Sequence, residues 1–532
     1  IVFSEQLKSL VFDPDQYGHD NINALQLDYQ ATVMLTKLPP KDENSTVLHE
    51  RAIQAFKESE ARNTFRNGLW VRPSQVLSRF AYHGYERELD EFKRQLRRIL
   101  GRCPSLSRLS ELGSWTSGAS VDLSRKWSSQ ALKAEMGLTV TYPLAKALSA
   151  IGDSLSPLIN VNDAWILVPG NIIDTVPKNI TTNRTIGKEP AINSFFQRAT
   201  GDVLRHRLHR EGIDLNDQTL NQRACLMAYL LGYATIDMRD ASNSTLSFMV
   251  RECFPADWSD TFELLRSPYG TFNDRKAVFA REAEWFEYQM LSSMGNGFTF
   301  ELESVIFYSA CLACGVPDYD IYIYGDDIIV PQCFVGRVTA FLALLGFDTN
   351  LEKSFVSGAF FESCGAYSFY GVDITPFKIK DLLNGNKDCI VLANKIRWFS
   401  HTVNNSVSCD RRFLPAWRLC LSGLSDVVRR QCRGPVNSGL VLWTNLSETS
   451  AKYSKKRGAM STHQLVPREG AVLSADWPSL LQHRLWEQTR SNGECRFYGN
   501  TLKVEFFESH RMAPLFIEQG WYDFGPWETW AR

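Results

Sequence analysis

Apolar and polar positions alternate most sharply between residues 233 and 377. The run "IYIYGDDIIVP" sets Ile321-Tyr322-Ile323 and Ile328-Ile329-Val330 on either side of Gly325-Asp326. These β-branched and aromatic flanks predict two short strands joined by a tight hairpin turn. "YATIDMRD" predicts a strand ending at Asp237, and "DASNSTLSF" after it predicts a helix start with Ser and Asn as caps. Residues 291–315 predict a Gly295-Asn296-Gly297 turn and then a long helix packed under the sheet. Residues 341–358 predict a helix, a glycine turn and a short strand carrying Lys353, and 360–377 a second hairpin. Further upstream, Tyr85, Leu89, Phe92, Leu96 and Ile99 recur every three or four positions, which predicts an amphipathic helix over 85–100. Residues 1–80 mix short apolar runs with polar loops such as "LPPKDENST". After 380 the pattern is mixed, with basic clusters at 427–433 and 452–457 and an aromatic tail from Trp521 to Trp530.

Composition narrows the class. A chain of 532 residues, 44% hydrophobic, is too long for one simple domain. Lys and Arg number 58 against 59 Asp and Glu, so a nucleic-acid partner requires basic residues segregated onto one surface. No apolar run reaches the length of a membrane span, and "IVFSEQLKSL" does not read as a signal peptide. The twelve cysteines form no compact framework. Cys311 and Cys314 lie in an apolar run with no second pair at ligand spacing, which reads as core packing and suits a reducing compartment.

The chemistry centres on carboxylates. Asp326 and Asp327 sit in an apolar run with no Lys or Arg beside them, so their partner is distant in sequence or a metal ion, unless this is an ordinary turn. If the strand ending at Asp237 lies beside the hairpin, three oxygen donors meet at one sheet edge. That set suits Mg²⁺ with substrate phosphates, and two such ions suit phosphoryl transfer. Lys178, Arg184 and Lys188 share even parity, so on an extended ribbon they face one side, as a triphosphate clamp or as a solvated edge strand. Lys353 reads as a surface lysine or as a proton donor to leaving pyrophosphate.

The ordered series VPK…R…KEP, "GIDLNDQTLNQR", "TIDMRDAS", "SSMGNGFTFELES", "IYGDDIIVP", GF-T-N-L-EK-F and "FESCG" resembles the RNA-dependent RNA polymerases of single-stranded RNA bacteriophages, the levivirus replicases. It covers about residues 113–380. The resemblance implies an α+β right-hand fold. Residues 1–112 would form an N-terminal region, partly fingers, and 113–230 the fingers. Residues 231–380 would form the palm and 381–532 the thumb and C-terminal region. It implies Asp237, Asp326 and Asp327 as ligands of two Mg²⁺ ions, with Mn²⁺ able to substitute. It places Lys178, Arg184 and Lys188 on the incoming triphosphate, and Gly295, Asn296, Gly297 and Thr299 in a nucleotide- and template-positioning loop. Lys353 falls at the candidate general acid, and Glu303 where many other RNA polymerases carry Asn. It further implies primer-independent RNA synthesis in the cytoplasm of an infected bacterium, with RNA template and nucleoside triphosphates. The implied host partners are elongation factors Tu and Ts and a ribosomal protein.

One position departs from the family. Asn243 stands where a second Asp is expected for reading the ribose 2′-hydroxyl. An amide both donates and accepts, and Asp240 lies one turn earlier, so ribose recognition is the function this change touches. Two other readings remain open: a reverse transcriptase, and a non-catalytic RNA-binding subunit. Ala241-Ser242-Asn243 leaves room for a ribose, where a reverse transcriptase would set a bulky aromatic. The aromatic tail either stacks on the first nucleotides or packs the thumb or a partner surface.

Overall fold

The computed structural model describes residues 12–36, 45–116, 118–125, 128, 133, 138–155, 165–179, 182–379, 385–403, 406–467, 494–498, 501–505 and 510–528. The opening stretch, most of the polar loop 38–46 and Trp530 lie outside these. The architecture is α+β, with helices around small, largely antiparallel sheets.

The central sheet has four antiparallel strands in the order Asp348–Thr349, Tyr233–Arg239, Asp327–Pro331, Tyr322–Tyr324. Its middle strands are almost wholly buried, which is why they are built from Ile, Val, Ala and Thr rather than a simple alternation. The hairpin register pairs Tyr324 with Asp327, leaving Gly325-Asp326 as a two-residue turn. Gly325 takes φ 61°, and a side chain there would strike the Phe300 ring. Beneath the turn runs the helix Thr299–Ala313, buried on nearly every side, whose Ser304 hydroxyl accepts from the Gly325 amide at 3.1 Å.

The amphipathic helix spans Glu86–Leu100 and buries Leu89, Phe92, Leu96 and Ile99. These join one continuous core running from Trp70 to Phe347, in which Cys311 and Cys314 are packed. A second core links Cys389 to Leu465, with Phe377, Met512 and Trp527 against it. The Phe360–Ser363 and Ala366–Phe369 strands form the second predicted hairpin. Among the described residues no helix is long and apolar enough to cross a membrane.

Three local expectations change. A helix of 24 residues, Ser45–Gly68, occupies a stretch read as short runs and loops. Its inward face is half polar, with Glu60, Asn63 and Asn67 buried beside Leu48, Ala52 and Phe56, so hydrophobic spacing does not reveal it. The chain after Asp237 does not enter a helix at once. Asp240 adopts a left-handed conformation, Ala241–Asn243 make a single 3-10 turn, and the helix begins at Ser247 without a side-chain cap. Lys353 lies in the turn after the Asp348–Thr349 strand rather than on a strand.

Candidate active site

A second four-stranded sheet carries a long antiparallel ribbon, Gly170–Pro177 paired with Asn183–Lys188. The ribbon, the tip of the central sheet and the helix Ser45–Gly68 enclose a cleft of about 570 Å³. Lys178, Arg184, Asp237, Asn243, Gly295, Asn296, Thr299, Asp326 and Lys353 all line it. Side chains from as far apart in the sequence as Lys178 and Lys353 thus converge on one space.

The strand expected to end at Asp237 runs on to Arg239, and Asp237 meets Asp326 because its register partner Asp327 directly follows the turn that holds Asp326. Burial raises the Asp237 carboxyl above the usual range, and Asp326 adds to the rise. Lys353, a hydrogen bond from Asn350 and Lys178 oppose it. Asn350 grips Asp237 twice: its side-chain Nδ2 donates to Oδ2 at 2.7 Å and its amide to the Asp237 carbonyl at 2.9 Å. Asp327 stands opposite Asp237 in the register but does not line the cleft. The turn of the second hairpin closes over it, with Ser363 Oγ at 3.4 Å and Cys364 Sγ at 3.5 Å from its carboxylate. Burial, then Asp326 and Glu362, push the Asp327 carboxyl up to about 7. Two of the three expected metal ligands therefore open on the cleft.

Two other expected residues face elsewhere. Lys188 lies on the same ribbon as Arg184 but is held by Asp174 on the adjacent strand. It shares the predicted parity and follows Gly187, which packs against Gly295, but its ammonium is committed to Asp174 and it is not among the residues that line the cleft. Gly297 lies against the helix Ala191–Arg210, where a side chain would meet Gln197 and Arg198. Its amide donates to Gln197 Oε1 at 3.2 Å. It shapes the loop from behind, while Gly295 and Asn296 reach the cleft.

The cleft also holds buried oxygens without a partner among the described residues, and a wall that the sequence pattern did not reveal. Glu303 is 4% exposed, its Oε1 has no hydrogen-bond partner among the described residues, and burial beside Asp326 and Glu301 raises its carboxyl far above the usual range. Asn243 Oδ1 is likewise buried and unpartnered among the described residues. The helix Ser45–Gly68 supplies Ala52, Ala55 and Phe56 to the wall; Arg62 lies 3.6 Å from Asp240, and Asn63 donates to the Asn243 carbonyl at 2.7 Å. Asn350 stands in the segment GF-T-N-L-EK-F, which was the available signal. Nothing in the pattern of the helix Ser45–Gly68 pointed to the cleft.

The arrangement suits binding of a polyanion. Lys178, Arg184, Arg239 and Lys353 line the cleft with Asp237, Asp240, Glu303 and Asp326, so the basic side chains can hold a phosphate chain and cations would offset its charge beside the carboxylates.

The family model "RNA replicase, beta-chain" matches residues 15–488. The chain is 32% identical over 404 residues to the RNA-directed RNA polymerase subunit beta of Escherichia virus Qbeta, covering 74% of this chain and 66% of that one. It is 36% identical over 340 residues to the RNA-directed RNA polymerase beta chain of Enterobacteria phage fr, covering 62% and 60%. It is 36% identical over 320 residues to the beta chain of Escherichia phage MS2, covering 58% and 57%. The matched stretch is thus less than two thirds of each of these relatives. A solved BmCPV RNA-dependent RNA polymerase aligns with TM-score 0.37 and 10% identity, over 63% of this chain and 32% of that one.

Proposed function

The chain belongs to the RNA replicase beta-chain family, and from that premise we propose that it is an RNA-directed RNA polymerase. It joins nucleoside triphosphates on an RNA template and so replicates a phage RNA genome. The observation that carries this reading is the cleft in which Asp237 and Asp326 face Lys178 and Arg184. In this reading the central sheet is the palm, the basic ribbon belongs to the fingers and the chain after 380 to the thumb.

Asp237 and Asp326 would hold Mg²⁺, or Mn²⁺ in its place. Among the described residues no three His, Cys, Asp or Glu converge to hold a metal unaided, so substrate phosphates complete the set. When bound, two such ions supply the charge that stabilises the attacking and leaving oxygens of the transfer. The chain's own residues do the rest. Lys178 and Arg184 neutralise the triphosphate and hold it while the 3′-oxygen of the growing strand bonds to the α-phosphorus and the bond to pyrophosphate breaks. Lys353 gives a proton to the departing pyrophosphate. Asn243 Oδ1, unpartnered among the described residues, accepts from the ribose 2′-hydroxyl, the task of the family's Asp. Base pairing selects the nucleotide.

Initiation without a primer, action in the bacterial cytoplasm, and assembly with elongation factors Tu and Ts and a ribosomal protein belong to the same proposal. The test is a primer-free assay on a structured RNA with Mg²⁺, with and without a bacterial lysate fraction. Incorporation of ribonucleotides in preference to deoxyribonucleotides is expected. Preference for deoxyribonucleotides would make the chain a reverse transcriptase. Tight RNA binding with no synthesis, even with lysate, would make it a non-catalytic RNA-binding subunit.

A further inference from the structure

Behind the cleft lies a buried carboxylate that the proposed chemistry does not use. Glu189 follows the basic ribbon and is 3% exposed. Among the described residues its partners are all neutral donors: Asn171 Nδ2 at 2.6 Å on Oε1, with Gln197 Nε2 at 2.9 Å and Ser267 Oγ at 2.7 Å on Oε2. A buried carboxylate without a cation is costly, so its presence needs a reason.

The reason lies in the other ends of the two amides. A carboxylate that receives three donors only accepts, so both amides must turn their NH₂ groups toward it. Their oxygens are thereby committed to the opposite side. Gln197 Oε1 accepts the Gly297 amide at 3.2 Å, and Asn171 Oδ1 accepts the Tyr288 hydroxyl at 2.7 Å. Asn171 Nδ2 also lies 3.5 Å from Ser293 Oγ. Gln197, whose Nε2 also donates to the Leu265 carbonyl at 2.9 Å, thus braces the loop 293–297 at Gly297, and Asn171 reaches it at Ser293; the far side of the loop lines the cleft through Gly295 and Asn296. The same loop is locked to the ribbon from above. The Gly187 amide donates to the Met294 carbonyl at 2.7 Å, and a side chain on Gly295, at φ 109°, would collide with the Gly187 carbonyl.

We propose that Glu189 is a positioning residue: by fixing the orientation of Asn171 and Gln197, it sets the distance between the 293–297 loop and the basic ribbon, and hence the fit of the incoming nucleotide. The inference rests on the proposed polymerase reading for its kinetic consequence but not for its structural one.

The isosteric change Glu189→Gln keeps the shape and turns one acceptor into a donor, so an NH₂ group meets an NH₂ group. Adding Asn171→Asp exchanges the roles: the amide introduced at position 189 can donate to the carboxylate introduced at position 171, which still accepts from Tyr288. The single variant should raise the nucleotide KM about tenfold with kcat little changed, and the double variant should return it to within about twofold of the parent. In hydrogen–deuterium exchange without nucleotide, amides 293–297 should exchange faster in the single variant and recover in the double. If Glu189→Gln does not fold, Gln197→Met, which removes the acceptor of Gly297 together with the donor to Glu189 and to the Leu265 carbonyl, should loosen the same amides. Unchanged exchange in the single variant, or failure of the double to recover it when both melt alike, overturns the proposal. A parent protein that makes no RNA would overturn the polymerase reading alone, because the exchange experiment would still decide this one.

Discussion

Two adjacent aspartates have different environments because the hairpin turn splits them. Asp326 opens on the cleft, whereas Asp327 is covered by the 363–364 turn. Asp326→Asn should lower nucleotide addition by at least about a hundredfold, while RNA affinity stays within about twofold, because RNA is gripped mainly through its phosphates. Filter binding and single-turnover addition on the same preparation check both halves. Asp327 calls for a different measurement. Folded, it keeps its proton up to about pH 7, whereas unfolded it releases it near 3.8. Between those values the folded state binds more protons, so this residue makes stability fall as pH rises and adds no further loss above about 7. Asp327→Asn removes that contribution. In thermal melts without divalent cation, the stability of the variant relative to the parent should rise across that window and level off above it.

The supporting elements work by close approach. Gly325 combines a left-handed φ of 61° with a side-chain direction that points into Phe300. Gly325→Ala should therefore cost about 1–3 kcal/mol in urea unfolding, through strain and through displacement of the helix Thr299–Ala313. The helix at 85–100 was legible because its buried stripe is periodic, and the hairpins, the Asp237 strand and the helix at 299–313 because their buried runs are apolar and bounded by turn residues. The helix Ser45–Gly68 was not legible, because Glu60, Asn63 and Asn67 spend their polarity on hydrogen bonds to other segments. Glu60 accepts from the Gln289 and Met290 amides, at 2.6 and 3.3 Å, contacts that no local pattern encodes.

Across the whole molecule, the region beyond residue 380 has a core of its own, pinned by one arginine. Arg397 is 0% exposed, with Nη1 2.7 Å from Glu448 Oε2. None of its side-chain nitrogens makes a directed hydrogen bond among the described residues. Instead the guanidinium lies against the rings of Trp417, Phe524 and Trp527, at 5.3, 4.8 and 5.8 Å. The described part of the aromatic tail is thus packed into this region. Arg397→Ala should cost about 3–5 kcal/mol by emptying a buried site between three aromatic rings and removing the cation beside Glu448, which among the described residues keeps only the Asn445 amide. Calorimetry should show the melting of this region shifted down, while the transition of the core from Trp70 to Phe347 stays in place.

The chain alone determined the elements whose burial is apolar, the turn chemistry at Gly325, and the residue types that phosphoryl transfer requires. Those follow from local periodicity and side-chain chemistry, which a linear reading holds in full. Only the tertiary structure decided that Asp327, Lys188 and Gly297 turn away from the cleft while Asn350, Glu303 and the helix Ser45–Gly68 turn toward it. Which way a side chain faces depends on strand register, strand length and the segment that packs over it, and those are set by partners distant in sequence.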